Sequence, residues 1–334
     1  MKKIAIGIDI GGTNTAFGAV DEEGCVCAES NLSTRRYPLL DDYPDYVADL
    51  TAAIRTLLGS LPFPFETAGI GIGAPNGNYR TGAIEQPVNL WKFRPGEIDR
   101  DERRRIFPLA DELSAAFDGI PVRMTNDANA STIGEMIFGN ARGMRDFIVV
   151  TLGTGLGSGF VANGELVCGH DGFAGELGHV VVEPGGRCCG CGRRGCLETY
   201  VSATGICRTA LELMAELNEP STLRGIAPQE LDARMISEAA EAGDPIAVEC
   251  FRRTGERLGR ALADAVTITS PEAILLFGGL AKAGAKLFDP TRAAMEAHMM
   301  YPFRNKVKLL PSGIRATNAA IPGAAALIWK ELRG

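Results

Sequence analysis

The chain has 334 residues, 46% of them hydrophobic and 22% charged, the balance of a folded globular protein with length enough for two α/β lobes. A formal charge of -7 and a pI near 5.2 argue against a surface built to hold nucleic acid or an anionic membrane, because either needs a clustered basic excess. Met1, Lys2 and Lys3 run straight into a β-like stretch with no small-residue cleavage site, and no apolar run approaches a membrane span. The expectation is therefore a cytoplasmic protein.

Ile4, Ile6, Ile8 and Ile10 alternate ahead of Gly11 and Gly12, and Ala16 to Val20 leads away, a strand, glycine turn, strand hairpin. Tyr46 to Leu58 has helical spacing. Ala68 to Ile72 reads as a short buried strand running into Gly73-Ala74-Pro75-Asn76. The run Arg103-Arg104-Arg105 directly follows Asp101-Glu102 and reads as a solvated face. Helices are expected at Asp111 to Phe117 and Ala128 to Phe138. The break Asp118-Gly119-Ile120-Pro121 places a lobe boundary near 118–122. That gives a small α/β lobe over 1–120 and a large one over 121–319, with a helix at about 320–334 packing back on the first. Phe147 to Val161 repeats the opening device, its glycines at 153, 155, 157 and 159. A helix over Ala247 to Ile268, a strand over Ala273 to Phe277, the turn Gly278-Gly279 and a helix over Gly323 to Leu332 complete the pattern. Strands alternating with helices imply a βα architecture.

The two glycine turns carry the first chemistry. Asp9-Ile10-Gly11-Gly12-Thr13-Asn14-Thr15 sets a carboxylate at a strand end, then glycines whose N–H groups can approach phosphate oxygens, with Thr13 and Thr15 as donors. An anion at Asp9 makes sense there if Mg²⁺ lies between it and a phosphate. A tight hairpin with a capping aspartate is the plainer alternative. Neither turn has the Gly-Lys-[Ser/Thr] end of a Walker A loop, and neither opens a helix as a dinucleotide fingerprint does.

The nine cysteines matter in a reducing compartment, where clusters are metal ligands more often than disulfides. His179 precedes Cys189-Gly190-Cys191-Gly192-Arg193-Arg194-Gly195-Cys196, and three thiolates with one imidazole complete a closed tetrahedral zinc site. Cys188 is a spare that can substitute for Cys189. With four protein ligands no position is left for water, so the metal is expected to be structural. Cys25, Cys27, Cys168, Cys207 and Cys250 read as packing residues, and His170 and His298 as ordinary polar ones.

In this order and spacing, Asp9-Ile-Gly-Gly-Thr-Asn, Thr125-Asn126-Asp127-Ala128-Asn129, Gly153 to Gly159, Gly175-Glu176-Leu177-Gly178-His179, the cysteine motif ending in Leu197-Glu198, and Gly278-Gly279 resemble the ROK family of sugar kinases and sugar-responsive repressors. The resemblance covers nearly the whole chain. It implies a two-lobed actin-like ATPase (ribonuclease H-like) fold with a zinc-binding loop, 179–198, in the larger lobe. It also implies an ATP-dependent kinase acting on a hexose.

On that resemblance Asp127 matches the general base, which would accept the proton of the attacking sugar hydroxyl. Read by itself, Asp127 is equally a helix N-cap. Asn126, Glu176, His179 and Glu198 match the sugar-reading set, with Asn76 and Asn89 as weaker candidates. Asp9, Gly11, Gly12, Thr13, Asn14, Thr154 and Gly155 would hold Mg-ATP, and Gly278 and Gly279 would lie by the adenosine. The metal loop has the form associated with glucokinases and N-acetylhexosamine kinases. Glucose therefore leads, followed by N-acetylmannosamine or N-acetylglucosamine. Family repressors carry a helix-turn-helix ahead of this core, and here the first strand starts at Lys2, which favours an enzyme. A catalytically silent sugar sensor is the competing class. The expected partners are a hexose and Mg-ATP, with no nucleic acid and no membrane, in a dimer or tetramer of like chains.

Overall fold

A computed structural model describes residues 1–87, 90–94, 105–314 and 318–333. Asn89 and the pair Arg103-Arg104 lie outside the described residues. Two compact units divide the chain: one holds the stretches 1–143, 166–174 and 313 onward, the other 144–165 and 175–312.

In the first unit β1 (Lys2–Ile10), β2 (Thr15–Asp21) and β3 (Val26–Leu32) form an antiparallel meander, followed by α1 (Tyr43–Gly59). Then come β4 (Phe65–Gly73), the short pair β5 (Ile84–Glu85) and β6 (Ile106–Phe107), α2 (Leu109–Ala116), β7 (Val122–Thr125) and α3 (Asp127–Ile137). The main sheet runs β3-β2-β1-β4-β7, with β4 parallel to both β1 and β7.

The alternation in β1 decides what covers each face. Ile4, Ile6, Ile8 and Ile10 join one core with Tyr46, Leu50 and Ile54 of α1, each isoleucine contributing roughly 2 to 3 kcal/mol of burial. The other face carries Ala5 and Gly7 in β1 and Gly69 and Gly71 in β4, and α8 (Ala320–Arg333) lies on it. A β-carbon at Gly7 would fall 2.0 Å from the Ile321 carbonyl oxygen, and one at Gly71 would fall 1.9 Å from that of Ala324. The helix backbone rests on the sheet because these positions have no side chain.

The second unit opens with β8 (Phe147–Leu152), β9 (Leu156–Ala162) and β10 (Glu165–Leu166). It continues with α4 (Ala203–Glu216), α5 (Ala233–Glu241), α6 (Pro245–Thr269), β11 (Ala273–Phe277), α7 (Ala285–His298) and β12 (Lys308–Pro311). Its sheet order, β10-β9-β8-β11-β12, repeats that of the first: an antiparallel hairpin, then two strands added in parallel. The repeat seen in the glycine turns is thus a repeat of whole sheets. Helix α6 begins with Pro245 behind the Asp244 cap and carries Gly255 and Gly259, which let α7 approach through Pro290 and Thr291.

The boundary placed near 118–122 falls inside the first unit. Asp118 and Gly119 adopt positive φ in a tight turn that delivers β7 beside β4, with Gly73 opposite Thr125. Turn-forming residues there bring the chain from α2 back into β7 and mark no linker, and the units divide at Gly143.

Candidate active site

The first unit gathers two carboxylates at the C-terminal ends of its parallel strands. Asp9, Gly73 and Thr125 stand in one row across β1, β4 and β7. Asp127 follows at the first turn of α3. A β-carbon on Gly73 would lie 3.6 Å from the Asp127 Cα and 3.9 Å from an Asp9 carboxylate oxygen. Burial, with the nearby Asp127 charge adding to it, pushes the Asp9 carboxyl up to about 6. Burial also raises Asp127, opposed by the Ala128 N–H that its carboxylate accepts at 2.9 Å.

The capping ambiguity at this helix resolves geometrically. Asn126 is the N-cap, its side-chain oxygen accepting the Asn129 N–H at 2.7 Å, so Asp127 is not the cap. Both sit where the positive end of the helix dipole faces out.

Beside Asp9, the turn Gly11 to Asn14 closes on itself through Gly11 N–H to Asn14 carbonyl at 2.9 Å, leaving Gly12, Thr13 and Asn14 exposed. Thr15 is turned away. Its buried hydroxyl lies 3.0 Å from that of Thr34 and 2.9 Å from the Tyr46 phenol, so the expectation that it faces a phosphate is corrected. Strand alternation explains this: Thr15 is the partner of Ile10 on the core side. Asn76, at φ 55, donates its amide to the Glu85 and Gln86 carbonyls at 3.0 and 3.2 Å and so ties its own loop.

The second unit presents its glycine turn at the end of β8. Gly153 N–H reaches the Gly155 carbonyl at 3.0 Å, and Thr154 sits at the tip. Phe277 at the end of β11 is paired with Thr151, and Gly278, at φ 101, packs against Leu152, which puts Gly278 and Gly279 alongside the turn. Among the described residues, its chain neighbours aside, no heavy atom comes within 4 Å of a β-carbon built on Gly279.

Glu198 reaches the same turn: its carboxylate accepts the Leu156 N–H at 3.1 Å, and a β-carbon at Gly155 would lie 2.3 Å from it. Glu176 begins a single helical turn to His179 that packs on Leu156 through Gly178, with Leu177 N–H bonded to the Ser158 hydroxyl at 3.0 Å. Glu176, His179 and Glu198 thus assemble around the exit of the glycine turn.

His179, Cys189, Cys191 and Cys196 converge, their ligand atoms all within 4.8 Å of one another. The Cys191 and Cys196 sulfurs are 3.6 Å apart and the Cys189 sulfur is 3.7 Å from His179 Nδ1. Those separations fit the edges, about 3.5 to 3.8 Å, of a tetrahedron drawn around zinc with bonds of about 2.0 Å to nitrogen and 2.3 Å to sulfur. The Arg193 main-chain N–H, aided by its guanidinium, holds the Cys191 thiol down at about 6, so one ligand is prepared as thiolate. Cys188 is excluded from the group: it is exposed and accepts from Arg194 at 2.9 Å. Among the other histidines, His170 is exposed beside Asp171 and His298 bonds the Ala294 carbonyl.

Arg187, within the cysteine loop, carries the most heavily bonded buried side chain of the region, and its sequence gave no sign of that role. Among the described residues no helix is long and apolar enough to cross a membrane.

The sequence pattern of the ROK family matches residues 5–331. A glucokinase of Thermotoga maritima is 34% identical over 330 residues, 98% of either chain, and an N-acetylmannosamine kinase of Citrobacter koseri is 30% identical over 82% of this chain and 83% of its own. The crystal structure of a ROK family glucokinase from Streptomyces griseus, in complex with glucose and AMPPNP, superimposes with a TM-score of 0.76 at 32% identity, covering 97% of this chain and 98% of that one. The family pattern and these relatives cover nearly the whole chain, and the chain belongs to the ROK family.

Proposed function

We propose that this protein is an ATP-dependent sugar kinase that moves the γ-phosphate of Mg-ATP onto a hydroxyl of a hexose, with glucose as the substrate. The observation that carries the reading is Asp127: it stands beside Asp9 at the strand ends, while Asn126 does the capping. A base so placed, with burial raising its basicity, can take the hydroxyl proton as the oxygen attacks phosphorus. Phosphoryl transfer otherwise needs positioning and charge neutralisation. The N–H groups of Gly11 to Asn14 and of Gly153 to Gly155 would grip the phosphates, and Gly278 with Gly279 would leave room for the adenosine. Asp9 is the residue to hold Mg²⁺, through water, and that ion would offset the charge on the phosphate oxygens.

Asn126, Glu176, His179 and Glu198 would read the ring hydroxyls, with Asn76 at the edge. Zinc, held by His179, Cys189, Cys191 and Cys196, has no open position there and would act only to fix the loop. The relatives named as glucokinases support the glucose assignment. A second reading, an N-acetylmannosamine kinase, draws on the Citrobacter koseri relative and would keep the mechanism with a different pocket.

The test is Mg-ATP consumption by the purified protein against glucose, mannose, fructose, allose, N-acetylglucosamine and N-acetylmannosamine. Preference for glucose confirms the reading. Preference for an acetamido sugar moves the protein to the second, and no turnover with any of them defeats the kinase.

A further inference from the structure

The glycine turn of the second unit is held by more than its own Gly153 to Gly155 bond. Three bonds reach it from one short segment: Glu198 accepts the Leu156 N–H at 3.1 Å, Ala203 N–H donates to the Gly153 carbonyl at 2.9 Å, and the Thr204 hydroxyl donates to the Thr154 carbonyl at 3.0 Å. That segment starts at a metal ligand, Cys196, and ends in the first turn of α4, where Ser202 caps the helix and donates back to the Glu198 carbonyl at 2.8 Å.

Arg187 fastens the segment from below. Its guanidinium donates to the Thr199 carbonyl at 2.6 Å, the Gly205 carbonyl at 3.0 Å, the Thr209 hydroxyl at 2.9 Å and both oxygens of Glu212. Its own N–H bonds the Tyr200 phenol at 3.0 Å, and its carbonyl takes the Gly195 N–H at 2.8 Å. The guanidinium also stacks over the Tyr200 ring, 4.4 Å from its centre. Every donor of this buried side chain is therefore committed, and each bond joins the cysteine loop to the segment or to α4.

We infer that Arg187 is a positioning residue that couples the metal loop to the nucleotide-gripping turn, so that occupancy of the zinc site sets affinity for the nucleotide as well as for the sugar. The inference rests on the assignment of Gly153 to Gly155 to ATP. Because the cysteine loop, Thr199 and Tyr200 are joined through one rigid fork, slack at the metal passes to Glu198, Ala203 and Thr204, and so to the turn. A lysine cannot reproduce the fork, since it has one nitrogen where the site needs three.

The experiment is calorimetric binding of AMPPNP with Mg²⁺, in the absence of sugar, to the zinc-loaded wild type, the zinc-stripped wild type, Arg187→Lys and Thr204→Val. Zinc content and melting temperature are measured alongside. Stripping and Arg187→Lys are each expected to weaken nucleotide binding by roughly three- to thirtyfold. Thr204→Val, at an exposed position, should weaken it by a smaller factor in the same direction. In steady state Arg187→Lys should raise the KM for ATP while it still holds zinc. A merely structural arginine would lower the melting temperature and leave nucleotide affinity of the folded protein unchanged, which overturns the inference. If the zinc-loaded wild type itself binds no AMPPNP, it is the assignment of the turn to ATP that fails.

Discussion

The two glycine turns sit at equivalent places in two sheets of one topology, yet they are held in different ways. The first closes through its own backbone bond from Gly11 to Asn14 and is braced beneath by the buried Thr15, Thr34 and Tyr46 hydroxyls. The second closes likewise, from Gly153 to Gly155, and is gripped from outside by Glu198, Ala203 and Thr204, on a segment tied to the cysteine loop. A duplicated hairpin has thus been braced by hydroxyls of its own core in one copy and by a segment tied to the metal loop in the other. The copy braced through the metal loop is the one whose geometry can respond to what occupies its surroundings.

Removing zinc should produce the largest effect and separate the two copies. Structural zinc sites contribute on the order of 10 kcal/mol of binding free energy, so a chelator that strips the metal should loosen 185–198 and everything it braces. Hydrogen exchange checks this: protection at Leu156 and Ala203 should fall while that at Gly11 holds, and metal analysis of gently purified protein should find one zinc per chain. Equal loss in both turns would erase the contrast.

Asp127→Asn comes next. Turnover should drop by about 10²- to 10⁴-fold while sugar binding largely survives, since only the proton acceptor has gone. Retained turnover would take Asp127 out of the base role.

Asp9→Asn sharpens the comparison from the first turn, the one with a carboxylate at its foot. The folded state holds the Asp9 proton up to about 6, above the ordinary value of 3.8, so stability is greatest below that lower value and falls as pH rises through the interval. Without ligand, the asparagine variant should gain about 1 to 3 kcal/mol at pH 7.5, and the gain should shrink as pH is lowered toward 4. Urea unfolding at several pH values measures it; a gain independent of pH would mean that the charge is not the cause.

The smallest effect is expected from Thr15→Val, about 1 to 2 kcal/mol through the two hydroxyls left unpaired, with the KM for ATP unchanged. A large rise in that KM would return Thr15 to the phosphate.

Much of this arrangement is legible in the chain because it rests on short-range pattern. The isoleucine alternation in β1, the repeated glycine turn and the spacing from His179 to Cys196 each identify a local structure by residue type alone. What stayed hidden depends on partners far away in sequence. The turn at Asp118 to Pro121 looks like a domain break until β7 is seen beside β4. Thr15 reads as a phosphate donor until Thr34 and Tyr46 are found around it. Helices α4, α5 and α7 went unread, α7 because Pro290 sits inside it and argues locally against a helix. Arg187 carried no signal, for a buried arginine is recognised only by its acceptors, and these come from Thr199 to Glu212.

The seating of α8 on Gly7 and Gly71 has a consequence in time. The second unit, apart from the short excursion at 166–174, is continuous from 144 to 312, whereas the first needs the helix at 320–333 to cover one face of its sheet. During synthesis, the strands made first must therefore wait, apolar face uncovered, until the whole of the second unit has been made. Birth order and completion order are reversed in this chain, and a nascent protein halted before Ala320 would present a bare, glycine-lined sheet to chaperones.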